Sequence, residues 1–195
     1  MNNKATENDS IYSFLRESHY GKNVTPLEVT TGLLHQYYRE SAAAHDALEI
    51  IYVKKGYCDL VINGAEFHMK KSSIAYLRPF HVHSVTSKYE VGEIFYCKFP
   101  ISMLIYFSIN KDSLNEDYNI VESVSPCINL SDEESNKVSS LFEELVLENN
   151  KKEPGWDLVI LSCLSGILAV YKRASLNHSK KNTAHSMSVG WQILQ

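Results

Sequence analysis

Apolar positions along this chain change their period once, near residue 130, and the change divides a strand-forming half from a helix-forming half. From Leu27 to about Asn110 the period is two. Val29, Thr31, Leu33, His35 and Tyr37 alternate with neighbours that face the other way, the pattern of a half-buried strand. Leu48–Val53 is an apolar run with β-branched residues, as expected of a strand buried on both sides. Cys58, Leu60 and Ile62 alternate up to Asn63-Gly64, and Phe67 and Met69 continue beyond it. Asn-Gly between two alternating runs predicts a tight hairpin, because a type I′ turn needs positive φ at both central residues. Ile74–Leu77, Val82–Val85 and Gly92–Phe99 add further strands. Short strands at this regular spacing predict a mainly β fold, a barrel or jelly roll.

After residue 130 the spacing becomes helical. Ser131-Asp-Glu-Glu134 reads as a capping box, and Val138, Leu141, Phe142 and Leu145 follow on one face. Asn149–Gly155 interrupts the pattern, with Pro154 suited to a first helical turn. A second helix is predicted from about Trp156 to Arg173, antiparallel to the first. Its apolar residues cover more than one face, so it needs two partners, the barrel and another helix. Asp157, Leu161, Leu164, Leu168 and Tyr171 recur at heptad-like spacing. Packing within the chain and a homodimer contact both account for that seam.

The ends differ in character. Residues 1–26 form a polar arm with one apolar patch, Ile11-Tyr-Ser-Phe-Leu15. Residues 175–187 are polar, basic and aperiodic, a linker composition. Ser188–Gln195 opens a new apolar pattern and reads as the start of a further helix. The organisation expected is therefore an arm (1–26), a barrel (27–110), a connecting segment with a helix pair (111–174), a linker (175–187) and the beginning of another domain (188–195).

Composition narrows the function classes. The 195 residues are 44% hydrophobic and carry a formal charge of −4, enough apolar matter for a core and the wrong sign for a phosphate-binding face. The acidic excess lies in 131–153, where seven Asp and Glu face three Lys; a solvated helix face accounts for it. Cys58, Cys97, Cys127 and Cys163 are far apart in sequence, which predicts neither a zinc knuckle nor a disulfide framework and fits a reducing cytoplasm. The polar N-terminus shows no signal peptide, and the apolar stretch Leu158–Val170 is too short for a membrane span. No nucleophilic triad or phosphate-binding glycine loop is present.

The candidate chemistry lies in the strand half, in His45-x3-Glu49-x6-Gly56 and Pro79-x3-His83. These spacings resemble the two motifs of the cupin superfamily. With the helix pair and basic linker that follow, the chain most resembles the N-terminal cupin-like sensing domain of AraC-type transcription regulators. The resemblance covers roughly residues 27–174 and implies a double-stranded jelly-roll barrel followed by two antiparallel helices. Metal-dependent cupins resemble a His-x-His pair, a Glu and a later His; here Ala43 stands at the first position of the pair. His45, Glu49 and His83 remain as a two-His, one-carboxylate set, and we expect no metal and no cofactor. In a straight strand, residues four apart lie roughly 13 Å apart, so that set needs a bend between His45 and Glu49.

The resemblance implies a sensor rather than an enzyme. The expected ligand-binding residues are Tyr37, Arg39, His45, Glu49, His81, His83 and Tyr96, with Tyr38 and Tyr76 as further aromatic wall. The expected dimer contacts are Leu161, Leu164, Leu168 and Tyr171. The partners implied are a small-molecule effector, a second copy of the chain, and DNA through a C-terminal helix-turn-helix domain outside this sequence, with no membrane. Two rival readings are a metal-dependent cupin enzyme, such as a dioxygenase or isomerase, and a ligand-free oligomerisation module.

Overall fold

The computed structural model describes residues 27–34, 38–39, 41–87, 92–107, 112 and 125–192; side chains are described up to His178, apart from those of residues 30, 33, 34, 38, 39, 105 and 107. Its strands are β1 (Glu28–Leu34), β2 (Tyr38–Arg39), β3 (Ala47–Lys55), β4 (Tyr57–Ile62), β5 (Ala65–Lys70), β6 (Ser73–Leu77), β7 (His83–Ser87), β8 (Gly92–Pro100) and β9 (Cys127–Asn129). They form two antiparallel sheets, β1-β8-β3-β6-β9 and β2-β7-β4-β5. A short helix α1 (Leu104–Phe107) follows the barrel strands, and α2 (Asp132–Lys151) and α3 (Trp156–Gln192) follow β9. The mainly β jelly roll and the two C-terminal helices agree with the expectation from the sequence.

The layers come from alternation on β3. Ile51 and Val53 face the four-stranded sheet and meet Leu60, Ile62, Met69 and Val85. Leu48, Ile50 and Tyr52 face the opposite way and meet Phe95, Phe99 and the helices. The β4–β5 hairpin turns at Asn63 and Gly64, with φ of 50° and 85°, the positive values a type I′ turn requires. Ile62 pairs with Ala65, which sets the register back to Tyr57 opposite Lys70.

Helix α2 starts with the predicted capping box: Glu134 N donates to Ser131 Oγ at 3.3 Å and Ser131 N donates to Glu134 Oε2 at 2.9 Å. It closes on Lys152 in the left-handed region, whose amide donates to Glu148 O. The helix is held to the barrel by aromatic stacking, with Phe142 5.2 Å from Phe95 and 5.9 Å from Tyr52. Tyr52 also donates to the Ser135 carbonyl at 3.2 Å. Helix α3 crosses α2 closely at Gly166, where an added Cβ would lie 2.9 Å from Leu141 Cδ1.

Three features differ from the sequence reading. Strand β9 lies in the segment read as a connection; three residues are too few to show a period, and it is recognisable only by its pairing with β6. Helix α3 continues to Gln192 instead of ending near Arg173, because 175–187 is polar but holds no Pro or Gly to stop a helix. The apolar stretch also extends further than Leu158–Val170. Trp156–His178 is long and apolar enough to cross a membrane by length and composition, at a mean hydropathy of 1.5. Its buried stripe of Ile160, Leu164, Ile167 and Tyr171 packs instead on sheet and α2.

Because Phe142 is wholly buried and joins the helix layer to two aromatic rings of the sheet, its truncation leaves a cavity. Phe142→Ala is expected to cost about 3–5 kcal/mol, read as a lower urea midpoint at unchanged slope.

Candidate functional site

Three side chains converge at one end of the barrel wall. Glu49 sits on the inner face of β3, between Leu77 on β6 and Lys98 on β8 in register. His45 precedes β3, and the chain bends at Asp46, so the imidazole folds back onto Glu49: His45 Nε2 lies 2.9 Å from Glu49 Oε2. This is the bend the sequence required. His83 opens β7 and brings its Nε2 within 3.0 Å of the same oxygen. The two rings meet edge to face at 5.1 Å. Side-chain exposure is 19% for His45, 2% for Glu49 and 4% for His83, so His45 forms the rim and the others the floor.

Backbone contacts fix this geometry. Phe80 N donates to His45 O, and Ala43 and His83 exchange both amide hydrogen bonds as an isolated bridge. On the other side Asn63, in the hairpin turn, accepts from Val82 N through Oδ1 and donates its own amide to Val82 O. The loop 79–82 is thus clamped from both flanks, with Phe80 at φ 64°.

The hydrogen bonds also set the proton positions. His45 Nδ1 lies 3.1 Å from Ala47 O, and His83 Nδ1 lies 2.9 Å from His81 O. A carbonyl only accepts, so both Nδ1 atoms donate. In a neutral ring each Nε2 would then be a lone pair aimed at a carboxylate oxygen. The arrangement therefore calls for positive charge at its centre, as protons on Nε2 or as a cation. Burial, the largest influence on the Glu49 carboxyl, raises its pKa; hydrogen bonds from His45 and His83, then the charges of His83 and Lys98, outweigh it and bring the value down to about 2.

The other predicted ligand residues are distributed less tightly. Tyr96 lies on the inner face of β8 opposite Ile51; its ring covers Gly32 of β1, where a Cβ would lie 2.9 Å from Cε2. His81 is half-buried, and its Nδ1 is buried without a hydrogen-bond partner among the described residues. Burial, then the charges of Arg78 and His83, lower its pKa. Tyr38 and Arg39 form β2 opposite Ser87 and Thr86, with side chains outside the described set. Tyr37 lies outside the described residues altogether. Tyr76 faces the helices, 5.6 Å from Tyr171, because even-numbered residues of β6 point away from the barrel interior. Cys97 shares that outer face, and burial raises its thiol pKa.

The predicted dimer seam is split. Leu164 and Tyr171 are buried in this chain's own core, and Tyr171 donates to the carbonyls of Ser125 and Pro126. Leu161 and Leu168 are only partly buried, and Leu158 and Leu176 are exposed. Sequence reasoning missed Asn63 as a clamp and Lys98 as the neighbour of Glu49. It also missed an Asp59, Glu66 and His68 group on the β4–β5 hairpin. The register set by the two-residue turn was the signal that could have found this last group.

Comparison with known proteins adds the following. The sequence profile of the AraC-like ligand binding domain matches residues 28–159. No curated protein matches the chain. Among solved structures, ToxT from Vibrio cholerae is similar over 60% of this chain and 48% of its own, at TM-score 0.45 and 13% identity. An RmlC-like cupin from Shewanella frigidimarina is similar over 38% of this chain and 67% of its own, at TM-score 0.37 and 15% identity. A predicted oxalate decarboxylase from Thermotoga maritima is similar over 37% and 64%, at TM-score 0.36 and 16% identity.

The low Glu49 value makes stability depend on acid. With its carboxyl lowered from 4.5 to about 2 in the folded chain, Glu49 contributes fully above the unfolded value, and the contribution fades as pH falls toward the folded one. The full effect is about 3 kcal/mol. The stability difference between the wild type and Glu49→Gln is therefore expected to shrink from about pH 6 to about pH 3, measured by urea unfolding.

Proposed function

Because the chain belongs to the AraC-like ligand-binding domain family, we propose that it is the effector-sensing and dimerisation part of a cytoplasmic AraC-type transcription regulator. The observation that carries this reading is Glu49, ionised and nearly sealed, on the inner wall of a barrel whose other inward residues are mostly apolar. A buried charge with fixed partners on an apolar wall is how a pocket orients a polar ligand. In this reading a small molecule enters past His45, rests on Tyr96, and places hydrogen-bond donors toward Glu49 and a polar group toward the neutral His81. Its binding favours one of two arrangements of the sensing and DNA-binding parts. Helix α3 is the route, since it runs from the sheet through residues 175–187 without a break.

Dimerisation is proposed through the outer side of α3, by Leu161 and Leu168 together with exposed Leu158 and Leu176. Leu164 and Tyr171 support that helix from within the chain. The DNA contacts belong to a further domain, in keeping with the −4 charge here.

One observation favours a second reading, a metal-dependent cupin. The Nε2 atoms of His45 and His83 and the Glu49 oxygen converge, with each Nδ1 oriented by a carbonyl as metal-binding histidines are. His45, Glu49 and His83 fit a divalent ion in donor type, and such an ion would polarise an oxygen ligand at that point. Ala43, paired across from His83, offers no further donor.

Thermal melts across a metabolite panel separate the readings when combined with metal analysis of the purified chain. For a sensor, one class of metabolite raises the melting temperature. At about a hundredfold excess over Kd the gain is about 2.7 kcal/mol, and Glu49→Gln abolishes it. Stoichiometric Fe, Mn or Ni lost in His83→Ala would replace this reading with the enzyme. Neither a metabolite shift nor metal would leave an oligomerisation module.

A further inference from the structure

The outer face of the β4–β5 hairpin carries a second convergence of ligand-type side chains, separate from the barrel site. Asp59 and His68 are direct cross-strand partners, and Glu66 lies two residues before His68 on the same face. Cross-strand partners have Cβ atoms about 5 Å apart, and the diagonal neighbour is within reach of a long side chain. His68 Nδ1 lies 2.6 Å from Asp59 Oδ1, and one donor atom from each of the three residues falls within 4.8 Å of the others. Asp59 is buried although it points away from the barrel interior, whereas His68 and Glu66 are exposed. The group therefore joins a poorly solvated carboxylate, already hydrogen-bonded to His68, to two solvent-exposed side chains, all on one hairpin with a two-residue turn.

We propose that Asp59, Glu66 and His68 form a surface site for a divalent transition-metal ion. The ion takes the place of the His68–Asp59 hydrogen bond, and Glu66 supplies the third donor. One imidazole with two carboxylates suits Zn²⁺, Mn²⁺, Co²⁺ or Ni²⁺, whereas Ca²⁺ and Mg²⁺ prefer oxygen donors throughout. An imidazole must offer a deprotonated nitrogen to bind a metal, so affinity falls in acid. The placement links the ion to the sensing site, because the turn of the same hairpin holds Val82 through Asn63. An ion on the hairpin stiffens the loop that carries His81 and leads into His83.

The test is calorimetric titration of the full chain with Zn²⁺ or Ni²⁺ alone, in parallel with His68→Ala, Glu66→Gln and His83→Ala. His68 and Glu66 are exposed, so their variants keep the fold, and matching thermal melts check this. The expected result is one bound ion weakened about tenfold or more by His68→Ala and by Glu66→Gln, with that ion unchanged in His83→Ala. Titrations identical for the wild type and His68→Ala overturn the proposal. So does an ion lost only in His83→Ala, which assigns the metal to the barrel site, or no heat at about 0.1 mM metal, far above the affinity a three-donor transition-metal site reaches.

Discussion

Burying β3 on both faces obliges the chain to provide two separate apolar layers, and the architecture is the consequence. Its inward residues Ile51 and Val53 need the four-stranded sheet. Its outward residues Leu48, Ile50 and Tyr52 need the helices. A barrel alone would leave Tyr52, Phe95 and Phe99 in water, and helices α2 and α3 exist in this fold to cover them. The stacking of Phe142 on both Tyr52 and Phe95, backed by Tyr52–Ser135 hydrogen bonding, makes the helix layer part of the barrel's own stability. This also explains why α3 is apolar on more than one side: it serves the sheet and α2 together.

Glu49 stands out against that background. A carboxylate inside an apolar wall costs several kcal/mol unless it is paired and hydrogen-bonded. The chain meets that cost with two histidines whose outer nitrogens are tied to backbone carbonyls and whose inner nitrogens meet one oxygen. Such an arrangement is costly to retain for stability alone, since well-packed apolar residues are often as stable. Placing it at the end of the barrel where His45 reaches solvent is consistent with a site that meets a ligand.

Much of this was readable along the chain. Asn63-Gly64 predicted the hairpin, and the capping box at Ser131 located the start of α2, because these signals are local and depend on φ or on neighbouring amides. The spacing of His45, Glu49, Gly56, Pro79 and His83 pointed to the barrel. Other features depended on contacts distant in sequence. Strand β9 has no period of its own and is defined by β6. Tyr76 and Tyr96 look alike as strand tyrosines, yet one faces the helices and the other the barrel, a difference set by register. The heptad-like seam on α3 could not tell inside from outside, and the chain's own core claims Leu164 and Tyr171 while leaving Leu161 and Leu168 nearer the surface. The end of α3 was misplaced because polar composition resembles a linker, although no residue there breaks a helix.

The sequence by itself determined most of the strands, the starts of the two long helices and where the tight turn falls, and its resemblance to the two cupin motifs grouped His45, Glu49 and His83. Periodicity and turn chemistry act over a few residues and are written into the chain. Only the tertiary structure decided that the two histidines meet the same carboxylate oxygen. It alone brought Asn63 to clamp the loop before His83, and sealed one half of the α3 seam inside. Those outcomes depend on how strands distant in sequence pair and on which face each pairing turns inward.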